Sequence, residues 1–197
     1  GGMEGYPGEV ITDNYPLDKG KISAMEGGTR VPLIITGPGI PKGVESDVMV
    51  NGLDFYPTLL SLTGTERPKG KNLDGADLSD LLLKDPSNPK LVKNKDGKPR
   101  DTMVWHFPHS VAMESTIRVG GYKLVRNYNH RFEEGRTEHE LYQLYKKENR
   151  KQVRVDIEEA NNLASQNPEL TKKLNQKLSS ILDEMDASYP YFNPQSS

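Results

Sequence analysis

Lys21 stands five residues before Glu26-Gly27-Gly28, and Arg30-Val31-Pro32 then leads into the apolar run Leu33-Ile34-Ile35, which stops at Gly37-Pro38-Gly39. A lysine ammonium is a compact, rotatable charge suited to an anionic oxygen, and paired glycines admit close backbone approach. An apolar run bounded by turn residues reads as a buried strand, here over residues 31–36. Together they place a cation near one end of a strand; the plain alternative is a solvated lysine ahead of an ordinary strand. His106 and His109 bracket Phe107-Pro108 directly after the strand-like Met103-Val104-Trp105. Imidazoles in such a loop can bind an anionic oxygen or a hydroxyl, or give up a proton near neutral pH, and they can equally satisfy a buried carbonyl. His130 and His139, set among Arg131, Glu133, Glu134, Arg136 and Glu138, read as surface residues. Asp13-Asn14 has the donor chemistry of a hard-cation site, although an Asx-turn accounts for it as well.

The string Lys21 to Pro32 resembles the lysine and EGGxRVP segment of type I sulfatases, and further motifs follow in that family's order. Asn14-Tyr15-Pro16-Leu17 is similar to the approach to that lysine, Asp54-Phe55-Tyr56-Pro57-Thr58-Leu59-Leu60 to a D-x-x-P-T-L-L helix, and Leu73-Asp74-Gly75 to a DG turn. Trp105-His106-Phe107-Pro108-His109, Ile117-Arg118 with Tyr122-Lys123-Leu124, Glu140-Leu141-Tyr142 and Asn161-Asn162-Leu163-Ala164 resemble the family's C-terminal subdomain. The resemblance implies an α/β fold of the alkaline-phosphatase type: the end of a large mixed sheet in residues 1–100, then a subdomain in residues 101–197 with a four-stranded antiparallel sheet and a packed helix. It also implies sulfate-ester hydrolysis, with Lys21 as the catalytic cation, His106 and His109 at the substrate, and a sulfated small molecule or glycan as partner.

By the same resemblance the full-length enzyme uses Ca²⁺ and a formylglycine nucleophile and is periplasmic or secreted. The chain has no cysteine and no serine in the family's formylglycine pattern, and the aspartates expected before Gly1 are not in it. The expectation is therefore a C-terminal portion that needs the N-terminal part of the same enzyme and does not act alone. Asp18-Lys19 and Ile22 depart from the Arg-Gly and Gly usual around the lysine. A phosphatase or phosphonate hydrolase of the same superfamily, or a noncatalytic carbohydrate-binding module stacking sugars on Trp105, Tyr122 and Tyr128, are the alternatives.

The elements that must position these residues follow from pattern and composition. A net charge of −2 provides no basic field for nucleic acid, and no run is apolar for long enough to span a membrane. Low hydrophobic content (34%) with 18 glycines and 14 prolines indicates many loops. A helix starts near Asp54, with Leu59, Leu60 and Leu62 expected on its buried side. Residues 65–100 read as a long exposed connection around a short helix at 78–83. Residues 103–105, 114–119, 122–128 and 140–145 read as strands of an antiparallel sheet. Leu170, Leu174, Leu178, Ile181, Leu182 and Met185 describe an amphipathic helix from Pro168 that covers one face of it, and residues 188–197 read as an irregular tail.

Overall fold

A computed structural model of the chain describes residues 12–109, 112–148 and 151–191. These form two compact units, one of Gly1–Pro32 with Asp101–Ser197 and the other of Leu33–Arg100. A single cut at residue 100 does not separate them, because the segment ending at Pro32 groups with the C-terminal half.

The first unit is built on a four-stranded antiparallel sheet in the order β1-β2-β3-β4: β1 Thr102–Phe107, β2 Glu114–Val119, β3 Tyr122–Asn127 and β4 His139–Gln143. Val119 pairs with Tyr122, so Gly120-Gly121 alone turn the chain between β2 and β3. Gly120 has φ +57, and a Cβ on Gly121 would lie 2.1 Å from the Tyr145 carbonyl oxygen; each glycine is thus required for a different reason. Period-two alternation puts Ile117, Leu124 and Leu141 on one face, where they pack against Leu174, Leu178 and Leu182 of α1, Pro168–Glu184. The helix therefore covers the sheet as expected. On the opposite face Val125 and Tyr142 pack with Met25, Leu144, Tyr145 and Ile157. The strand read over 140–145 breaks at Leu144, and a separate hairpin follows, β5 Tyr145–Glu148 with β6 Lys151–Arg154.

The second unit contains α2, Phe55–Leu62, and α3, Ser79–Leu83. Ala76, Leu78, Leu81, Leu82 and Val92 form its core, with Ile35, Ile40, Val48, Val50 and Leu91 against them. The supposed connection over 65–100 thus contributes this unit's core. Residues 31–36 form no strand, since no described segment pairs with them, and Ile34 is 88% exposed. The expected buried side of α2 is also reversed: Pro57 and Thr58 are buried, while Leu59 and Leu62 are exposed. Among the described residues no helix is long and apolar enough to cross a membrane.

Asp54 ties this unit together rather than capping α2 with its side chain. Fully buried, it accepts from the Asn51 and Ala76 main-chain N–H groups, both at 2.8 Å, and from Arg100 Nη1 and Nη2 at 2.8 and 2.7 Å. Arg100 in turn donates to the Met49 carbonyl. Gly75 follows because a Cβ there would meet the Leu53 carbonyl oxygen at 1.9 Å. Replacing Asp54 with Ala leaves a buried guanidinium uncompensated, so Asp54→Ala is expected to destabilise this unit by about 3–5 kcal/mol, read as a lowered urea midpoint; a loss under ~1 kcal/mol would remove Asp54 from this role.

Candidate functional site

Lys21 sits in a loop whose shape is set by main chain. Lys19 and Ile22 flank it with φ +55 and +73. A β-branched side chain in that left-handed region is costly, so the loop is held there by its surroundings. They are Gly27 and Gly28, which open a single helical turn, Glu26–Thr29. A Cβ on Gly27 would lie 2.1 Å from the Lys19 oxygen, and one on Gly28 would lie 2.0 Å from the Ser23 oxygen. The Gly27 N–H donates to the Asp18 carbonyl at 2.9 Å. With the loop in this shape Lys21 is exposed and has no ion pair among the described residues.

The helical turn is itself gripped by buried acids. Glu159 accepts the Glu26 N–H at 2.6 Å, and Glu114 accepts the Ala24 N–H at 2.8 Å. Lys123 of β3, with no exposed surface, lies 3.1 Å from Glu26 and 2.7 Å from Glu159. Glu114 is paired with Arg136 at 2.9 Å, and Arg136 with Glu140 at 2.7 Å. Glu140 also receives the Tyr142 hydroxyl at 3.1 Å; burial first, and then the Glu140 charge, push that phenol's pKa up. Arg30 donates to the Tyr145 hydroxyl, and Arg118 lies 4.9 Å over the same ring. Glu26, Lys123 and the pair Glu140 and Tyr142 belong to three separate motifs that suggested the family resemblance, and here they meet in one cluster.

The histidines divide. His106 Nε2 lies 2.8 Å from the Ser188 carbonyl, so that nitrogen carries the hydrogen, and Nδ1 then accepts from Ser115 Oγ at 2.6 Å. Both of its nitrogens are taken, with Tyr128 and Tyr189 edge-on to the ring. His109 is exposed and touches Phe107, ring centroids 4.4 Å apart. His130 and His139 are half-buried rather than on the surface. Asp13 Oδ1 accepts the Tyr15 N–H at 2.8 Å, which is the Asx-turn. Tyr122 is half-buried against the core beside α1, and Tyr128 meets Ser115 through its hydroxyl and His106 edge-on. Among the described residues no group of three His, Asp or Glu side chains could hold a metal ion, so Ca²⁺ finds no fit in this part.

This sheet, helix and lysine loop are those of a sulfatase C-terminal subdomain. The fold is similar to that of a crystal structure described as a "putative sulfatase" from Bacteroides thetaiotaomicron VPI-5482, with a TM-score of 0.61, 20% identity, and coverage of 90% of this chain and 35% of that one. The model of the family described as N-sulphoglucosamine sulphohydrolase, C-terminal, matches residues 18–184, and the chain belongs to that family. Over 186 residues it is 32% identical to a protein named sulfatase from Formosa agariphila, covering 89% of this chain and 31% of that protein. Over 177 residues it is 30% identical to human arylsulfatase K, covering 89% and 30%. The chain thus spans about a third of the length of these curated relatives.

Two outcomes follow from the clamp. Burial raises the pKa of Glu159 to about 7, against the opposing charge of Lys123. A carboxyl whose pKa is higher in the folded than in the unfolded state contributes stability that is complete below the ordinary carboxylate range. That contribution is lost as pH rises through about 7. The urea midpoint is expected to fall between about pH 5 and pH 8, and Glu159→Gln, which keeps the neutral form, should flatten the fall; an identical slope in the variant would contradict the assignment. Separately, Gly28→Ala is expected to displace residues 18–23, seen as faster proteolytic cleavage within them, with β1–β4 intact by circular dichroism.

Proposed function

We propose that this chain is the C-terminal part of an enzyme that hydrolyses sulfate esters, and that Lys21 provides a cation to the sulfate oxygens. The observation that carries the reading is the exposed, unpaired Lys21 on a loop fixed by Gly27, Gly28 and the buried acids behind them. A charge held in place before the reaction stabilises developing negative charge without reorganising at that moment, which is where such electrostatic groups gain their effect. His109, exposed in the loop after β1, is the histidine of its pair with a free ring edge for a substrate oxygen; His106 orients the chain at Ser188 instead.

Family membership and the coverage of about a third of the curated relatives support placing the nucleophile and the metal in the remaining part of the enzyme. A formylglycine needs a cysteine or serine precursor in a pattern this sequence lacks, and the described residues offer no cation site. The residues of this chain therefore bind and orient, while bond breaking belongs to the rest.

In the full-length enzyme, Lys21→Ala is expected to lower turnover of an aryl sulfate by ~100-fold or more, the scale for losing one electrostatic donor, with the melting temperature unchanged because Lys21 is exposed. Near-normal turnover would remove Lys21 from the mechanism. The present chain incubated alone with an aryl sulfate and Ca²⁺ should release no product above the buffer rate, and metal-dependent turnover would overturn the division of labour.

A further inference from the structure

Four successive main-chain N–H groups open the turn behind Lys21, and each goes to a different acceptor. Met25 donates to Ser23 Oγ at 3.0 Å and Gly27 to the Asp18 carbonyl at 2.9 Å, both within the loop itself. Ala24 donates to Glu114 Oε2 at 2.8 Å and Glu26 to Glu159 Oε2 at 2.6 Å, acceptors that lie 90 and 133 residues away along the chain. The two distant acids are used alike. Each takes an N–H group with one carboxyl oxygen and meets a cation with the other: Glu114 Oε1 lies 2.9 Å from Arg136, and Glu159 Oε1 lies 2.7 Å from Lys123.

Stability alone does not call for this arrangement. Apolar side chains of similar volume often match or better a buried ion pair, and side chains of that kind hold the opposite face of the same sheet to α1. What a carboxyl supplies, and an apolar group does not, is a directed contact to an individual N–H. Backbone conformation points the same way. Of the five described residues other than glycine with positive φ, Lys19 and Ile22 flank Lys21, Met113 precedes Glu114, and Glu159 is itself the fourth. Such conformations cost energy, persist where the surroundings over-determine them, and cluster at functional sites. Here they fall on the loop and at both of its anchors.

We propose that Glu114 and Glu159 are positioning residues for sulfate-ester turnover: through the Ala24 and Glu26 N–H groups they hold the Lys21 ammonium where negative charge develops. Resting on the sulfatase reading of Lys21, this adds that its place is set from the sheet and not by the loop alone. Both acids are buried, 1% and 5% exposed, so they act through main chain and not on substrate. Misplacing a reacting or stabilising group by about 1 Å can cost on the order of 100-fold in rate.

The test is a pair of double-mutant cycles in the full-length enzyme with an aryl sulfate. Glu114→Asp and Glu159→Asp keep a charge beside Arg136 and Lys123 but draw the carboxyl back by one methylene, which sacrifices the N–H contact while leaving each cation a partner. Each is expected to lower kcat about 10-fold with KM within about 3-fold, the pattern for a loss felt in the transition state. In a Lys21→Ala background the same changes should alter kcat by less than about 2-fold, since no ammonium remains to be misplaced. Equal losses in both backgrounds, the mark of a purely structural role, would overturn the proposal, as would unchanged kcat in both Asp variants. Amide exchange in the unmutated enzyme is a check that no variant's folding can obscure: the Ala24 and Glu26 N–H groups should be protected like strand amides, and exchange at the rate of exposed loops would overturn the anchoring. Near-normal turnover of Lys21→Ala itself would remove the sulfatase role of Lys21 and this inference with it, whereas additive losses beside a strong Lys21→Ala effect would overturn the positioning role alone.

Discussion

Lys123 is the constraint on which the first unit depends. A lysine with no exposed surface needs its charge met, and two acidic side chains meet it, Glu26 from the helical turn before Pro32 and Glu159, whose carboxyl is held partly protonated near neutral pH by burial, from the segment before α1. Removing one member of such a buried set costs about 3–5 kcal/mol, because the charge left behind has lost its water as well as its partner. The strand, the turn and the later segment are therefore locked in one arrangement, with less freedom to slide than apolar contacts alone would leave. Glu159 adopts φ +54, a strained conformation for a residue with a side chain, and the two interactions it gains with Glu26 and Lys123 offset that strain.

The two faces of the sheet illustrate different ways of covering a surface. Towards α1 the contact is apolar and tolerant, Ile117, Leu124 and Leu141 against leucines a helical turn apart. Towards the Lys21 loop it is ionic and directional, with Glu114 and Glu159 holding individual main-chain N–H groups at 2.8 and 2.6 Å. Asp54 and Arg100 in the second unit follow the same approach, one carboxylate gathering two N–H groups and a guanidinium. That unit also exposes Ile34, Leu53, Tyr56 and Leu59.

The sheet and α1 were readable because their periods are regular: side chains alternating between two faces along the strands, a two-residue turn between β2 and β3, and apolar residues at every third or fourth position of the helix. What failed was everything that depends on a distant partner. The run 31–36 has the composition of a strand, but a strand needs a neighbour, and none is among the described residues. Leu59 and Leu62 look like a buried face only if something lies against them. Lys123, flanked by Tyr122 and Leu124, reads by alternation as an outward residue of a one-sided sheet; the sheet is covered on both sides, so outward became inward. Glu159 left no local mark, because its role is defined by residues 26 and 123. The candidate site was legible to the extent that motifs in the family's order pick out Lys21 and Glu26, whereas Glu114 and Glu159, which hold the main chain behind them, follow no short pattern.

The glycine pair beneath the Lys21 loop separates shape from chemistry. What presses on Gly27 and Gly28 is the carbonyl oxygens of residues 18, 19, 20 and 23, atoms that every amino acid carries. Side chains in the loop can therefore change while the path of the chain does not, as with Asp18-Lys19 and Ile22, where the sequence departs from the family pattern that it otherwise resembles. Such a loop can exchange the groups around the Lys21 ammonium one at a time, while positions 27 and 28, pressed by main-chain oxygens, admit no side chain at all.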